Sequence, residues 1–269
     1  MVLGAYERFR TKLGAAISYC MVYSLSGILP LYIVNEYPKS GGTWLAQMLG
    51  QALGIPFPRT NRFPMVRSSV VHGHYPKHRG MKNTIVIWRD GRDVMVSLYH
   101  HCFFLSKNEP TGSPFMEVIR RDLPFVDYEN IGENLPAFIE YFFTRQRYPS
   151  FTWAEFVRRW HGRKGITYVR YEDLNRDTPG QLRRVISELT GKSVGSEKVA
   201  KVAQELSFER LSGRRPGEEN KNSFLRKGIV GDWRNYFNKE ASECFDLHAG
   251  DELILLGYER DRSWIAGQR

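Results

Sequence analysis

LYIVNEYPKSGGTWLAQMLGQALGIP, residues 31–56, is the stretch that decides the fold. Leu31 to Val34 is a short apolar run of the length a buried strand takes. Tyr37 to Gly42 is rich in turn formers. From Thr43 the period changes. Trp44, Leu45, Met48, Leu49, Ala52 and Leu53 fall on one helical face, and Gly54 and Pro56 stop the helix. A strand that feeds a Gly-rich turn into a helix start presents backbone N–H groups to an anion. Gly41 and Gly42 allow close approach, Lys39 adds a positive charge, and Ser40 and Thr43 add hydroxyl donors. Lys39 to Thr43 is therefore a phosphate cradle by construction. It differs from the Walker A loop, G-x-x-x-x-G-K-[ST], in which the lysine follows the glycines; here Lys39 precedes them.

Two more units repeat the alternation. Thr84 to Trp88 reads as a strand, Arg89 to Asp93 as a polar turn, and Val94 to Leu105 as a helix. Within that turn, Arg92 is expected as a surface charge and Asp93 as the helix cap. Ile166 to Arg170 is a strand leading into Tyr171-Glu-Asp-Leu174. A helix starts at Thr178 with Pro179 in its first turn. Leu182, Val185, Ile186 and Leu189 form its buried face, and Gly191 ends it. A further helix spans Ser196 to Leu206. This alternation predicts an α/β fold: a single domain with a central, mostly parallel sheet, helices on both faces and a P-loop-like strand–loop–helix phosphate site. Between the second and third units lies an aromatic-rich stretch, about 103–160, expected to be partly helical. Residues 212–223 read as a mobile loop.

The chain has 269 residues, 42% hydrophobic and 25% charged, which suits one large soluble domain. Cys20, Cys102 and Cys244 lie far apart and no Cys/His spacing suits zinc. A disulfide framework and a structural metal are therefore not expected, and the usage fits a reducing compartment. The formal charge of +10 raises nucleic acid, an anionic membrane or a polyanionic small ligand as partners. The basic residues are scattered rather than clustered, which argues against nucleic acid.

Residues 13–34 carry no charged side chain, and Arg8, Arg10 and Lys12 precede them. Gly14, Ser18, Ser24, Ser26, Gly27 and Pro30 interrupt the run, and Leu31 to Val34 is needed as core strand. The reading is an N-terminal apolar segment, 1–30, packed on or beside a domain of residues 31–269. A membrane span or a cleaved signal peptide is disfavoured. Peripheral membrane contact through residues 13–30 is the second expectation.

Tyr37-Pro-Lys-Ser-Gly-Gly-Thr-Trp44 resembles the 5′-phosphosulfate loop, commonly Y-P-K-S-G-T-T-W, of sulfotransferases that use 3′-phosphoadenosine 5′-phosphosulfate (PAPS). Arg89 to Ser97, RDGRDVMVS, resembles that family's 3′-phosphate segment, with Arg and Ser eight residues apart. Arg226 to Trp233, RKGIVGDW, is similar to the family's R-K-G-x-x-G-D-W. The three matches occur in family order from about Tyr37 to Phe237, and they resemble the cytosolic-type enzymes most.

The resemblance implies roles by position. Lys39 would touch the leaving 5′-phosphate and the sulfuryl group. Ser40, Gly41, Gly42 and Thr43 would wrap that phosphate. Trp44 would stack on the adenine, although its place on the apolar helix face also suits plain core. Arg89, Ser97, Arg226, Lys227 and Gly228 would hold the 3′-phosphate. Tyr171 and Phe208 would flank the base. In His72-Gly-His-Tyr-Pro76, similar to the family's K-T-H-L-P, His74 would be the general base. His72 stands where the family often has a lysine, and would contact the sulfuryl group. His78, His100, His101, His161 and His248 are expected to be structural or exposed.

The implied reaction is in-line transfer of a sulfuryl group from PAPS, without a metal. Its acceptor would be a hydroxyl or amine of a small molecule, lipid or glycan, in the cytoplasm. The aromatic stretch leans toward an apolar acceptor. A P-loop kinase-like phosphotransferase and a basic nucleic-acid-binding protein are the competing readings. The K-x-x-x-T-V-x-x-x-E dimer segment common in the family is replaced here by Arg214 to Asn220, so the oligomeric state stays open.

Overall fold

Four short strands pair into one parallel sheet in the computed structural model, which describes residues 13, 17, 19–58, 68–105, 114–145 and 149–267. The strands are β1 (Leu31–Glu36), β2 (Ser69–Gly73), β3 (Thr84–Trp88) and β4 (Ile166–Arg170). Their order is β2-β1-β3-β4, with every neighbouring pair parallel. Parallel strands need long crossovers and buried faces, so they read as continuous apolar runs. β3 is buried along its whole length.

The helices are α1 (Gly42–Leu53), α2 (Gly91–Phe103), α3 (Pro114–Asp122), α4 (Ile131–Thr144), α5 (Trp153–Trp160), α6 (Tyr171–Arg176), α7 (Thr178–Thr190), α8 (Ser196–Glu205), α9 (Phe208–Ser212) and α10 (Lys239–Leu255). The chain packs as two compact units. One comprises residues 1–36, 40–88 and 162–207; the other comprises 37–39, 89–161 and 208–269.

The first unit is the sheet with α1, α6, α7 and α8. Val34, Ile85 and Ile87 share a sheet face and pack against Leu45, Met48 and Leu49 of α1 and Val185 and Ile186 of α7. On the opposite face Leu31, Ile33 and Val86 are also fully buried. Helix α7 starts as its sequence dictates: the Asp177 side chain accepts from Gly180 N–H, and Pro179 sits in the first turn. Gly191, at φ 67°, ends it in the left-handed conformation that glycine adopts at low cost.

Part of the N-terminal apolar segment packs within this unit. Met21 and Val22 are buried, Tyr19 and Tyr23 meet Tyr75 ring to ring, and the Ser26 hydroxyl donates to Gly80 C=O and accepts from Lys82 N–H. The basic flank at Arg8, Arg10 and Lys12 lies outside the described residues. Among the described residues, no helix is long and apolar enough to cross a membrane.

The second unit is helical, and it corrects two expectations. Asp90, not Asp93, caps α2, accepting from Arg92 N–H. Asp93 is buried and accepts from the backbone N–H groups of Gly231 (2.7 Å) and Trp233 (2.9 Å). Arg92 is not a surface charge. Its side chain is 1% exposed, forks onto Asp90, pairs with Glu259 and lies over the rings of Trp233 and Trp264. A guanidinium tolerates such burial because its planar face suits aromatic rings while its edge keeps carboxylate partners.

Residues 212–223 also differ from a loose loop. Arg214 donates to the carbonyls of Glu218, Leu225 and Arg226, and Gly217 N–H donates to Lys227 C=O. The aromatic stretch supplies α3, α4 and α5 and is mostly core: Tyr99, Phe103, Phe125, Tyr128 and Phe138 pack ring against ring.

Candidate active site

Strand register assembles the first group of residues. In the parallel pairing of β1 and β2, His72 stands opposite Val34, on the face that α1 covers. Glu36, two residues beyond Val34, points to that same face by the period of a strand. Glu36 is buried at 4% exposure. One of its carboxylate oxygens accepts from Gly42 N–H at 2.6 Å, in the first turn of α1, and the other meets His72 Nε2 at 2.8 Å. Burial would raise the Glu36 carboxyl, but the hydrogen bond and charge of His72, the charge of His74 and the Gly42 N–H together hold it below its ordinary value.

His74 is fixed by the same residue. Its Nδ1 lies 3.0 Å from the Glu36 carbonyl oxygen. A carbonyl only accepts, so Nδ1 carries the proton and the lone pair of the neutral ring sits on Nε2. The two imidazoles stand edge to face at 5.4 Å. Asn35 secures the segment: Tyr75 N–H donates to its side-chain oxygen and its amide donates to Tyr75 C=O.

The loop glycines are shaped by what they touch. Gly41 has φ 96°, and a Cβ there would come within 2.6 Å of the Tyr171 ring. A Cβ on Gly42 would meet Glu36 Cδ at 2.7 Å and His72 Nε2 at 2.9 Å. Ser40 is buried and Thr43 half-buried. Trp44 donates its indole N–H to Leu206 C=O at 2.7 Å and stands tilted against Tyr171 at 6.1 Å. Both are half-buried.

The second unit holds the remaining expected residues. Lys39 has φ 72°, unusual for a side-chain-bearing residue, and its carbonyl accepts from Arg89 Nη1 at 2.8 Å. Its ammonium lies 4.0 Å from the Phe224 ring centre. Ser97 is half-buried in α2, the helix that follows Arg89. Arg226 pairs with Glu219 and Asp232, and Lys227 with Asp232 at 2.7 Å. Burial would raise the Asp232 carboxyl, but Lys227 and Arg226 hold it below its ordinary value. Gly228, at φ 68°, presses on Phe208, whose ring would lie 2.5 Å from a Cβ there.

In this unit His100 is buried and His101 half-buried, and both stay neutral. Burial lowers both to about 3, with Arg226 adding to the effect at His100 and Lys39 at His101. Two trios place donor atoms within 4.8 Å of one another among the described residues: Glu36, His72 and His74, and separately Glu140, Cys244 and His248.

Three functional candidates emerge only from the structure. Glu36 stands at the polar end of a strand and carries no local signal in the sequence. Asp93 and Asp232 lie inside the motifs, but the partners of Asp93 are far along the chain, and the cations beside Asp232 reach it only once their turn has folded. Chemically, the first unit offers a helix N-terminus for an anion and an imidazole set to take a proton. The second offers paired cations beside an aromatic ring.

A profile described as the sulfotransferase domain matches residues 59–257, a region that begins after the Gly-rich loop. The amine sulfotransferase of the rabbit, Oryctolagus cuniculus, is 25% identical over 267 residues, covering 82% of this chain and 79% of the relative. Sulfotransferase 1B1 of the dog, Canis lupus familiaris, is 25% identical over 262 residues, covering 80% of each. Among solved structures, mouse sulfotransferase SULT7A1 complexed with PAP matches with a TM-score of 0.59 at 21% identity, covering 88% of this chain and 91% of that one. At that identity the likeness speaks to the fold.

Proposed function

The chain belongs to the sulfotransferase-domain family, and on that premise we propose how its residues carry a sulfuryl group from PAPS to a hydroxyl or amine of a small-molecule acceptor. The observation that carries the residue assignments is the junction of Glu36, Gly42, His72 and His74 at the start of α1. It supports the reading of His74 as a proton acceptor of fixed tautomer beside an anion-receiving helix end.

His74 Nε2 takes the acceptor proton as the acceptor oxygen or nitrogen attacks sulfur. The new bond to sulfur forms while the bond from sulfur to the 5′-phosphate oxygen breaks, and 3′-phosphoadenosine 5′-phosphate (PAP) leaves with that electron pair. Lys39 and the N–H groups of Ser40, Gly41 and Thr43 stabilise the charge on the leaving oxygen, while Gly42 N–H is committed to Glu36. General-base catalysis contributes about 10²- to 10⁴-fold and a preorganised donor about 10²- to 10³-fold.

Arg89, Ser97, Arg226, Lys227 and Gly228 hold the 3′-phosphate, and Trp44, Tyr171 and Phe208 flank the adenine. The second unit suits this role, because Asp232 orients Arg226 and Lys227, and Gly228 brings their segment directly against the Phe208 ring. The position of Lys39 ahead of the glycines speaks against the kinase-like alternative. We assign the acceptor to the apolar small molecules, lipids included, before glycans, and place the enzyme in the cytoplasm.

The test is calorimetric titration of PAP without Mg²⁺, followed by transfer of radiolabelled sulfate from PAPS to a panel of phenols, alcohols and amines. Micromolar PAP binding with much weaker ATP binding is the expected result. Folded protein that ignores PAP, or that binds DNA with steep salt dependence unrelieved by PAP, would overturn the reading.

A further inference from the structure

We propose that Glu36 is a positioning residue that orients His72 beside the sulfuryl group, and that Gly42 exists to admit this pair. The inference rests on the sulfotransferase reading and deepens it at the same site.

The argument starts from an electrostatic conflict. A loop built to receive a polyanion has a buried carboxylate in its first helical turn: Glu36 bonds Gly42 N–H at 2.6 Å. An uncompensated carboxylate there would repel the ligand, and a buried charge needs a partner. His72 is that partner, with Nε2 2.8 Å from the other Glu36 oxygen. Its Nε2–H is committed to Glu36, and Nδ1 is the ring atom left to meet the sulfuryl group. A histidine thereby stands, oriented by a carboxylate, where the family commonly uses a lysine. The titratable groups facing His72 are Glu36 from β1 and His74 just beyond β2; the Phe57 ring edge and the backbone of α1 at Gly42 complete its surroundings.

The steric relations agree. Any side chain at position 42 would strike Glu36 Cδ and His72 Nε2, both closer than 3.0 Å. Threonine, common at this place in the family's loop, is therefore excluded by the pair itself. Glu36, Gly42 and His72 form one interdependent set.

The experiment is the steady-state kcat and KM of wild type, Glu36→Gln, His72→Lys, Gly42→Thr and the double variant Glu36→Ala/Gly42→Thr, with PAP affinity measured in parallel. Glu36→Gln keeps the shape but removes the charge. We expect kcat to fall roughly tenfold or more, with KM and PAP affinity near wild type. His72→Lys should lower kcat less than Glu36→Gln does, because a donor still faces Glu36. Gly42→Thr should lose activity, and adding Glu36→Ala should recover part of it.

An unchanged kcat in Glu36→Gln, or a double variant no better than Gly42→Thr alone, overturns the inference while leaving the sulfotransferase reading intact. Failure of wild type to bind PAP or transfer sulfate overturns that reading instead.

Discussion

The guanidinium of Arg89 donates to the backbone carbonyl of Lys39 at 2.8 Å, binding the residue assigned to the 3′-phosphate to the residue assigned to the 5′-phosphate. Lys39 is held at φ 72°, a conformation that costs a side-chain-bearing residue about 1–2 kcal/mol. Arg89 is one of the contacts that keep it there. Replacing Arg89 should therefore do two kinds of damage. Arg89→Ala should weaken PAP binding by about 2–3 kcal/mol, roughly 30- to 150-fold, through a lost charged hydrogen bond and a loosened Lys39. Arg89→Lys should fall between, because an ammonium keeps the charge without the fork. Calorimetry on both variants decides this; equal affinity for Arg89→Lys and wild type would remove the geometric part of the claim.

Loss of the base should separate chemistry from binding. His74→Ala should lower kcat by about 10²- to 10⁴-fold while PAP affinity stays at the wild-type level. Pre-steady-state transfer from PAPS to an accepted phenol, set beside PAP titration, checks the split. A parallel loss of PAP affinity would make His74 a binding residue.

Two histidines, one buried and one half-buried, give the fold its own pH dependence. His100 and His101 are lowered to about 3, by burial first and then by Arg226 and Lys39 respectively, whereas in the unfolded chain they titrate near their ordinary 6.5. Their folded affinity for protons is depressed, so the unfolded state takes up more protons as pH falls. Stability is then intact above pH 6.5 and drops on acidification by about 1.4 kcal/mol per pH unit for each histidine. Denaturant unfolding from pH 7.5 to 5.0 should show this slope. His100→Gln/His101→Gln should flatten it, whatever its effect on absolute stability, and an unchanged slope would contradict the assignment.

Gly228 should tolerate no side chain. Its positive φ and the Phe208 ring both oppose a Cβ, so Gly228→Ala should weaken PAP binding and reduce stability by about 1–3 kcal/mol. Phe208→Ala/Gly228→Ala should recover part of the stability, because the ring is the obstacle, but not the nucleotide affinity. Thermal melts with and without PAP distinguish the two.

The sequence is most readable where local pattern and local structure share a cause. Thr84–Trp88 and Ile166–Arg170 form strands over the very residues their pattern predicts, because each is an apolar run bounded by polar residues. Gly54 and Gly191 end helices where glycine's left-handed freedom is useful. β2 carries no such signal: Ser69-Val-Val-His-Gly has too few apolar residues to announce a strand, and it becomes one by pairing with β1. The same pairing creates the Glu36–His72 contact, so the carboxylate is invisible until the register is known. Arg92 reads as a surface charge for a related reason. Its environment comes from Trp233, Glu259 and Trp264, residues far along the chain, and no window around position 92 contains them.

That buried guanidinium also sets an order of events. Arg92 is made together with Asp90, yet its second carboxylate and its aromatic covers lie far along the chain. Contacts between distant parts of a chain are slow to close and are rewarded last. The helical unit therefore cannot bury this charge until the segment that carries Glu259 and Trp264 has folded back onto it, and a chain that stalls before then keeps a cation where its core should be.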